Sequence, residues 1–157
     1  MIDLNQYTSV PYEFIYENLS EEEGIRTVAY LDTRGITTCG IGHSCQATPT
    51  KPLIGRDIKV GLSITYAEIE ILFNHDIQKV LQSLQSLSFF KSLSESQQYV
   101  LISMTFNLGF EGLLKFKQFL SALENHDIQK AKEELADSTW AKQVPNRLKK
   151  LQGMIIC

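Results

Sequence analysis

The sequence predicts an α+β fold, with strands confined to a small N-terminal region and helices filling the rest. Three observations carry this. β-branched and aromatic residues surround a turn at Asp32-Thr33-Arg34-Gly35. Two capping boxes, Thr65-Tyr66-Ala67-Glu68 and Ser94-Glu95-Ser96-Gln97, open amphipathic runs. Beyond the first of them, apolar residues recur at spacings of three and four, the period of a helix face.

Pro11 follows Thr8 and Ser9 at a first-turn position, Ile15 and Leu19 share a face, and Gly24 stops the run, so a first helix is expected over 11–22. Two antiparallel strands follow at about 27–31 and 36–41, joined where Gly35 supplies the positive φ of a turn. Gly40 and Gly42 in the returning strand predict a close backbone approach or a bulge. Residues 44–62, with Pro49, Pro52, Gly55 and Gly61, read as a loop with room for a short third strand.

Ile69, Leu72, Phe73, Ile77, Val80, Leu81 and Leu84 then mark a long helix over 66–85. Val100, Leu101, Met104 and Leu108 share a face of the next helix, with Gly109 as its expected stop. Further helices are expected at 112–124, 128–137 and 145–155, the last opened by Pro145. The octapeptides LFNHDIQK (72–79) and LENHDIQK (123–130) differ at one position, but their flanks diverge and no period extends from them, so they read as coincidence.

The length of 157 residues suits one compact domain, or two small lobes sharing a helix. Lys and Arg number 15 against 18 Asp and Glu, without the strongly basic balance of a nucleic-acid binder. The first residues lack a basic start and an apolar core, so no signal peptide is expected. Nor does any apolar stretch reach the roughly 18 residues that span a membrane. Three cysteines are odd in number and read as reduced thiols, with a Cys39–Cys45 pairing left open. The spacing of Cys39, His43 and Cys45 matches no common zinc ligand set, and neither metal nor cofactor is expected.

The chemistry concentrates in residues 23–43, EGIRTVAYLDTRGITTCGIGH. Glu23 closes the first helix, Asp32 ends the first strand, and Thr38 stands in the returning strand, an arrangement in which a hydroxyl and a carboxylate can hold a water. Two carboxyl groups, one protonated and one ionised, are the minimum for cleaving a glycosidic bond. On spacing alone the signal is weak, because carboxylates end helices and begin turns in every class of protein.

The run Glu23-Gly24-x5-Tyr30-x-Asp32-Thr33-x-Gly35-x2-Thr38-x-Gly40-Ile41-Gly42-His43 resembles the active-site hairpin of the phage-type lysozymes, a glycoside hydrolase family that includes the T-even phage enzymes. The likeness continues through Ile54-Gly55-Arg56, Leu72-Phe73-Asn74 with Asp76, Asn107 with Gly109, and Trp140-x2-Gln143-x-Pro145-Asn146-Arg147. It implies a lysozyme-like fold: an N-terminal lobe over about 24–65, an interlobe helix over about 66–85, and a helical C-terminal lobe over 86–157 that also takes the first helix.

It further implies a catalytic set of Glu23 as general acid with Asp32 and Thr38 holding the attacking water, and substrate binding by Asn107, Trp140 and Gln143. Supporting roles fall to Arg147, set against Glu23, and to a structural ion pair of His43 with Asp76. The implied reaction is hydrolysis, with inversion, of the β-1,4 bond between N-acetylmuramic acid and N-acetylglucosamine in peptidoglycan. The enzyme would be a monomer that acts on the cell wall after release from the cytoplasm and does not insert into membranes. The alternative is a lysozyme-fold domain that binds wall or partner without cleaving; an inactive relative would be expected to lose the acid or the Asp/Thr pair. Departures from the family pattern are a shorter loop after His43, Arg34 in place of a Glu, Asn107 in place of a Gln, and Val144 in place of a Thr.

Overall fold

The computed structural model describes residues 1–156; Cys157, and with it the expectation for its thiol, lies outside them. The fold is mixed, with helices α1 (Tyr12–Glu23), α2 (Lys51–Ile54), α3 (Tyr66–Leu84), α4 (Glu95–Leu114), α5 (Lys117–Glu124), α6 (Ile128–Ala136), α7 (Thr139–Gln143) and α8 (Pro145–Met154). Strands β1 (Arg26–Leu31), β2 (Thr37–Gly40) and β3 (His43–Ser44) form one antiparallel sheet in that order. Contacts divide the chain into two compact units: Met1–Asp3 with Tyr12–Lys79, and Leu4–Pro11 with Val80 onward. Among the described residues no helix is long and apolar enough to cross a membrane.

In the first unit α1 buries Ile15 and Leu19. Its aromatic residues meet Phe73 of α3, with ring centroids 6.1 Å from Tyr12 and 5.1 Å from Tyr16, and the Tyr12 hydroxyl donates to Asn74 Oδ1 at 2.6 Å. These contacts group α1 with the sheet and the first part of α3.

β1 pairs with β2 through Tyr30↔Thr38 and Leu31↔Thr37, then slips by a bulge to Arg26↔Gly40. The turn between them is tied by Asp32, whose Oδ1 accepts from the backbone N–H of Arg34 at 2.8 Å and of Ile36 at 2.9 Å. The third strand comes earlier than expected, at the very start of the loop, where His43 pairs with Cys39. The loop's far end returns to β1 through the Val28↔Ser63 bridge. Inside it lies α2, with Pro52 in its first turn and Gly55 closing it at φ 80°; four residues are too few to show a periodicity.

The capping box ahead of α3 closes in both directions: Glu68 N–H donates to Thr65 Oγ1 at 3.1 Å and Thr65 N–H donates to Glu68 Oε1 at 3.0 Å. Arg56 adds a fork onto the same carboxylate, Nε to Oε2 and Nη2 to Oε1, both at 2.9 Å. The Arg56 hydrogen bonds first, then the Thr65 N–H, hold the Glu68 carboxyl down at about 2.

In the second unit the segment Leu4–Pro11 is pinned to α4 by the Thr8 hydroxyl, which donates to Gln98 Oε1 at 2.6 Å. Ser94 caps α4 by accepting from Gln97 N–H, but the Gln97 side chain donates to the Ile156 carbonyl, so this box closes one way only. Gly109, at φ 76°, breaks α4 rather than ending it. The helix expected over 112–124 is accordingly split: residues 110–114 continue α4 and a new start at Lys117 makes α5. α7 was not foreseen, being a five-residue turn capped by Ser138. The core of this unit is built around Tyr99, Leu101, Phe119, Leu123, Leu135 and Leu151.

The repeated octapeptide takes two structures. Its first copy lies inside α3; its second spans the end of α5, a turn with His126 at φ 57°, and Asp127 as the N-cap of α6. No shared unit underlies it.

Candidate active site

The candidate catalytic residues Glu23, Asp32 and Thr38 all lie in the first unit, on α1 and the first hairpin. α1 ends at Glu23 because Gly24 takes φ +80°, a left-handed conformation that halts the helix and turns the chain into β1. The Glu23 carboxyl rests against Gly42: a Cβ built there would stand 3.1 Å from Oε1 and 3.5 Å from Cδ. Gly42 has φ +59°, so the exit of the hairpin needs glycine both for its backbone and for the space the carboxyl occupies.

Gly42→Ala is therefore expected to lower kcat more than it lowers stability, because misplacing a reacting group by about 1 Å costs up to 10²-fold. Gly40→Ala is the control. It carries a similar left-handed strain, but its Cβ would press on Ile69 of the core at 3.3 Å, so its effect should fall on the melting temperature. Equal kcat in the two variants would show that Gly42 does not place Glu23.

The turn favours the ionised form of Asp32. The Ile36 and Arg34 N–H groups, with the Arg34 guanidinium 3.9 Å away, hold its carboxyl below its ordinary value. Thr38 is buried and faces Tyr30 across the ladder. Its hydroxyl donates to the Ile36 carbonyl at 2.9 Å, which commits its single proton and leaves its lone pairs to accept from a water. Burial pushes the Tyr30 phenol up, Arg26 pulls it down, and the charges of Glu23 and Asp32 raise it further. Tyr30 thus feels both candidate catalytic carboxyls from the strand face that carries Thr38.

His43 is almost wholly buried at the end of the hairpin. Its Nδ1 is 2.6 Å from Asp76 Oδ2 on α3, and its Nε2 is 2.9 Å from the Thr48 carbonyl. Both partners are acceptors, so both ring nitrogens are placed to donate and the site favours the imidazolium form. Burial alone would lower the His43 pKa, but the hydrogen bond and charge of Asp76 outweigh it and the net shift is upward. A pKa raised by folding stabilises the native state fully below the unfolded value near 6.5, and that contribution fades as pH rises through the folded value.

His43→Asn and Asp76→Asn are each expected to cost about 2 kcal/mol, or roughly 4–8 °C of melting temperature. The deficit should shrink on the alkaline side, and the double variant should lose less than the two singles combined. Full additivity at neutral pH would contradict the pair.

Cys39 and Cys45 lie beside this pair with Sγ atoms 3.7 Å apart, touching but not bonded. Burial pushes the Cys39 thiol up to about 12.

The remaining expected residues, Asn107, Trp140, Gln143 and Arg147, belong to the second unit. Trp140 is only 4% exposed. Its ring meets Phe116 edge-on, and its Nε1 donates to Asn107 Oδ1 at 2.8 Å. Asn107 and Gln143 are exposed. One edge of Trp140, with Phe116, Lys117, Glu134 and Asp137, borders a hollow of about 620 Å³ that spacing in the sequence did not reveal. Arg147 is buried, its Nε donating to Ser103 Oγ at 3.0 Å and its Nη2 to the Ser103 carbonyl at 3.2 Å. Ser103 is the residue sequence reading missed; an unexplained Ser on the apolar face of α4 was its only signal.

A small antiparallel sheet in an otherwise helical chain, with a carboxyl at a helix end and an Asp in a hairpin turn, fits a lysozyme-like protein. The Phage lysozyme family model matches residues 20–156, and the chain belongs to that family. It is 29% identical over 157 aligned residues to the Probable T4-type lysozyme 1 of Dictyostelium discoideum, covering 90% of this chain and 92% of that one. It is 30% identical to the pre-baseplate central spike protein Gp5 of Enterobacteria phage T4 over 89% of this chain and 27% of that longer protein. The endolysin of Salmonella phage P22 is 36% identical over 58% of each chain.

Proposed function

We propose that this protein is a muramidase, hydrolysing the β-1,4 bond between N-acetylmuramic acid and N-acetylglucosamine in peptidoglycan with inversion at the anomeric carbon. The observation that carries this is the placing of two carboxyls about one hairpin: Glu23, at the end of α1, seated against Gly42, and Asp32 held below its ordinary value by its own turn. Glu23 donates a proton to the leaving oxygen. Asp32 takes a proton from the attacking water, which also donates to the Thr38 hydroxyl.

His43 and Asp76 hold the hairpin to α3, and Arg147, its guanidinium fixed by Ser103, is a supporting residue. Asn107, steadied by Trp140, and Gln143 bind the polymer. The protein works as a monomer, without metal or cofactor, and meets its substrate at the cell wall after leaving the cytoplasm.

Digestion of purified peptidoglycan followed by borohydride reduction tests the bond. Muramitol at the new ends is the expected product. Glucosaminitol, or no new reducing ends, would overturn the reading.

A further inference from the structure

The chain has four arginines, and three of them are bound to oxygen acceptors: Arg56 forks onto Glu68, Arg34 lies by Asp32, and Arg147 is seated on Ser103. Arg26 is different. Among the described residues it makes no hydrogen bond or ion pair, yet its guanidinium carbon sits 4.1 Å from the centroid of the Tyr30 ring. The contact fixes the side chain over an aromatic face, which orders it without neutralising it.

Its place in the fold gives this meaning. Arg26 and Tyr30 are on β1, Tyr30 is the cross-strand partner of Thr38, and Arg26 is the partner of Gly40, two residues before the Gly42 that seats Glu23. An exposed cation is thus held on the strand face that carries the candidate water-holding hydroxyl. A planar, weakly hydrated guanidinium with its fork unoccupied is suited to a carboxylate. Peptidoglycan offers one close to every cleavable bond: muramic acid bears a lactyl ether, whose acid is either free or extended by a peptide that carries its own carboxylates.

We propose that Arg26 is a specificity-determining residue that binds a carboxylate on the lactyl or peptide branch of the muramyl unit. This rests on the muramidase reading and adds to it a preference for walls whose branch carboxylates are free over walls in which they are amidated.

The test compares wild type, Arg26→Gln and Arg26→Lys on three soluble glycan preparations. One bears stem peptides, one has been stripped by an amidase to expose the lactyl acid, and one is peptide-bearing with its carboxylates converted to amides. Binding of each preparation to the Glu23→Gln protein, with and without Arg26→Gln, is measured alongside. Wild type should show a KM about tenfold lower on the peptide-bearing glycan than on its amidated form, the size of one charge-assisted hydrogen bond. Arg26→Gln should erase that difference with kcat little changed, and Arg26→Lys should restore part of it.

If the stripped strands show the same gain, the lactyl acid is the partner; if only the peptide-bearing strands do, the peptide is. Cleavage of all three preparations at equal KM by wild type and Arg26→Gln would overturn the role of Arg26 and leave the muramidase reading standing. No cleavage of any preparation, with Arg26-dependent binding retained, would overturn the muramidase reading while supporting the carboxylate contact. Neither cleavage nor binding would overturn both.

Discussion

Glu23→Gln should lose roughly 10²–10⁴-fold of wall-clearing activity, the share of the rate that a positioned general acid supplies. Its melting temperature should stay within about 2 °C of wild type. The substitution keeps the shape of the side chain that rests on Gly42 and removes only the proton it can give. Turbidity of a purified wall suspension and a thermal melt on the same preparation check both halves. Clearing retained in Glu23→Gln would remove Glu23 from the mechanism. Wild type that binds wall but clears none would return the protein to the alternative of a binding domain.

Asp32→Asn should be nearly as costly to activity, and for a cleaner reason. The amide oxygen of Asn can still accept from the N–H groups of Arg34 and Ile36, so the turn survives while the charge is lost. A base must be ionised to work. Because the Ile36 and Arg34 N–H groups hold Asp32 below its ordinary value of 3.8, its acid limb should fall below that pH. The expectation is a drop of about 10²–10⁴-fold in kcat for Asp32→Asn, with the residual rate no longer falling through that limb. A limb unchanged in position and depth in the variant would show that another group acts as the base.

How far the sequence foretold this varies with the kind of signal. α3 was legible from end to end because its apolar period is long and Thr65 and Glu68 cap each other. The hairpin was legible because Asp32 and Gly35 are turn residues with a mechanism, an acceptor for two N–H groups and a positive φ. α2 and α7 escaped because helices of four and five residues have no period to read. Gly109 misled by looking like a stop: the local rule is right about its φ, but the chain resumes its helix beyond it.

The site was read mainly by resemblance. Spacing places Glu23, Asp32 and Thr38 in one segment but says nothing of Gly42 under the carboxyl, which needs coordinates to be seen. Trp140 entered through the same resemblance, and spacing says nothing of its burial or of the bond from its Nε1 to Asn107. Arg26 was unremarked in the sequence because an exposed Arg in a strand carries no signal until its ring partner and its lack of an acceptor are known.

In the proposed mechanism a water activated by Asp32, and not Asp32 itself, attacks the sugar. Proton nuclear magnetic resonance of the first products released from wall by wild-type protein separates the two, since the scissile bond is β. Direct attack by water predicts muramic acid ends that appear first as the α-anomer and then mutarotate. Ends that appear first as the β-anomer would mean two displacements, and would contradict Asp32 as the base and Thr38 as the holder of the attacking water.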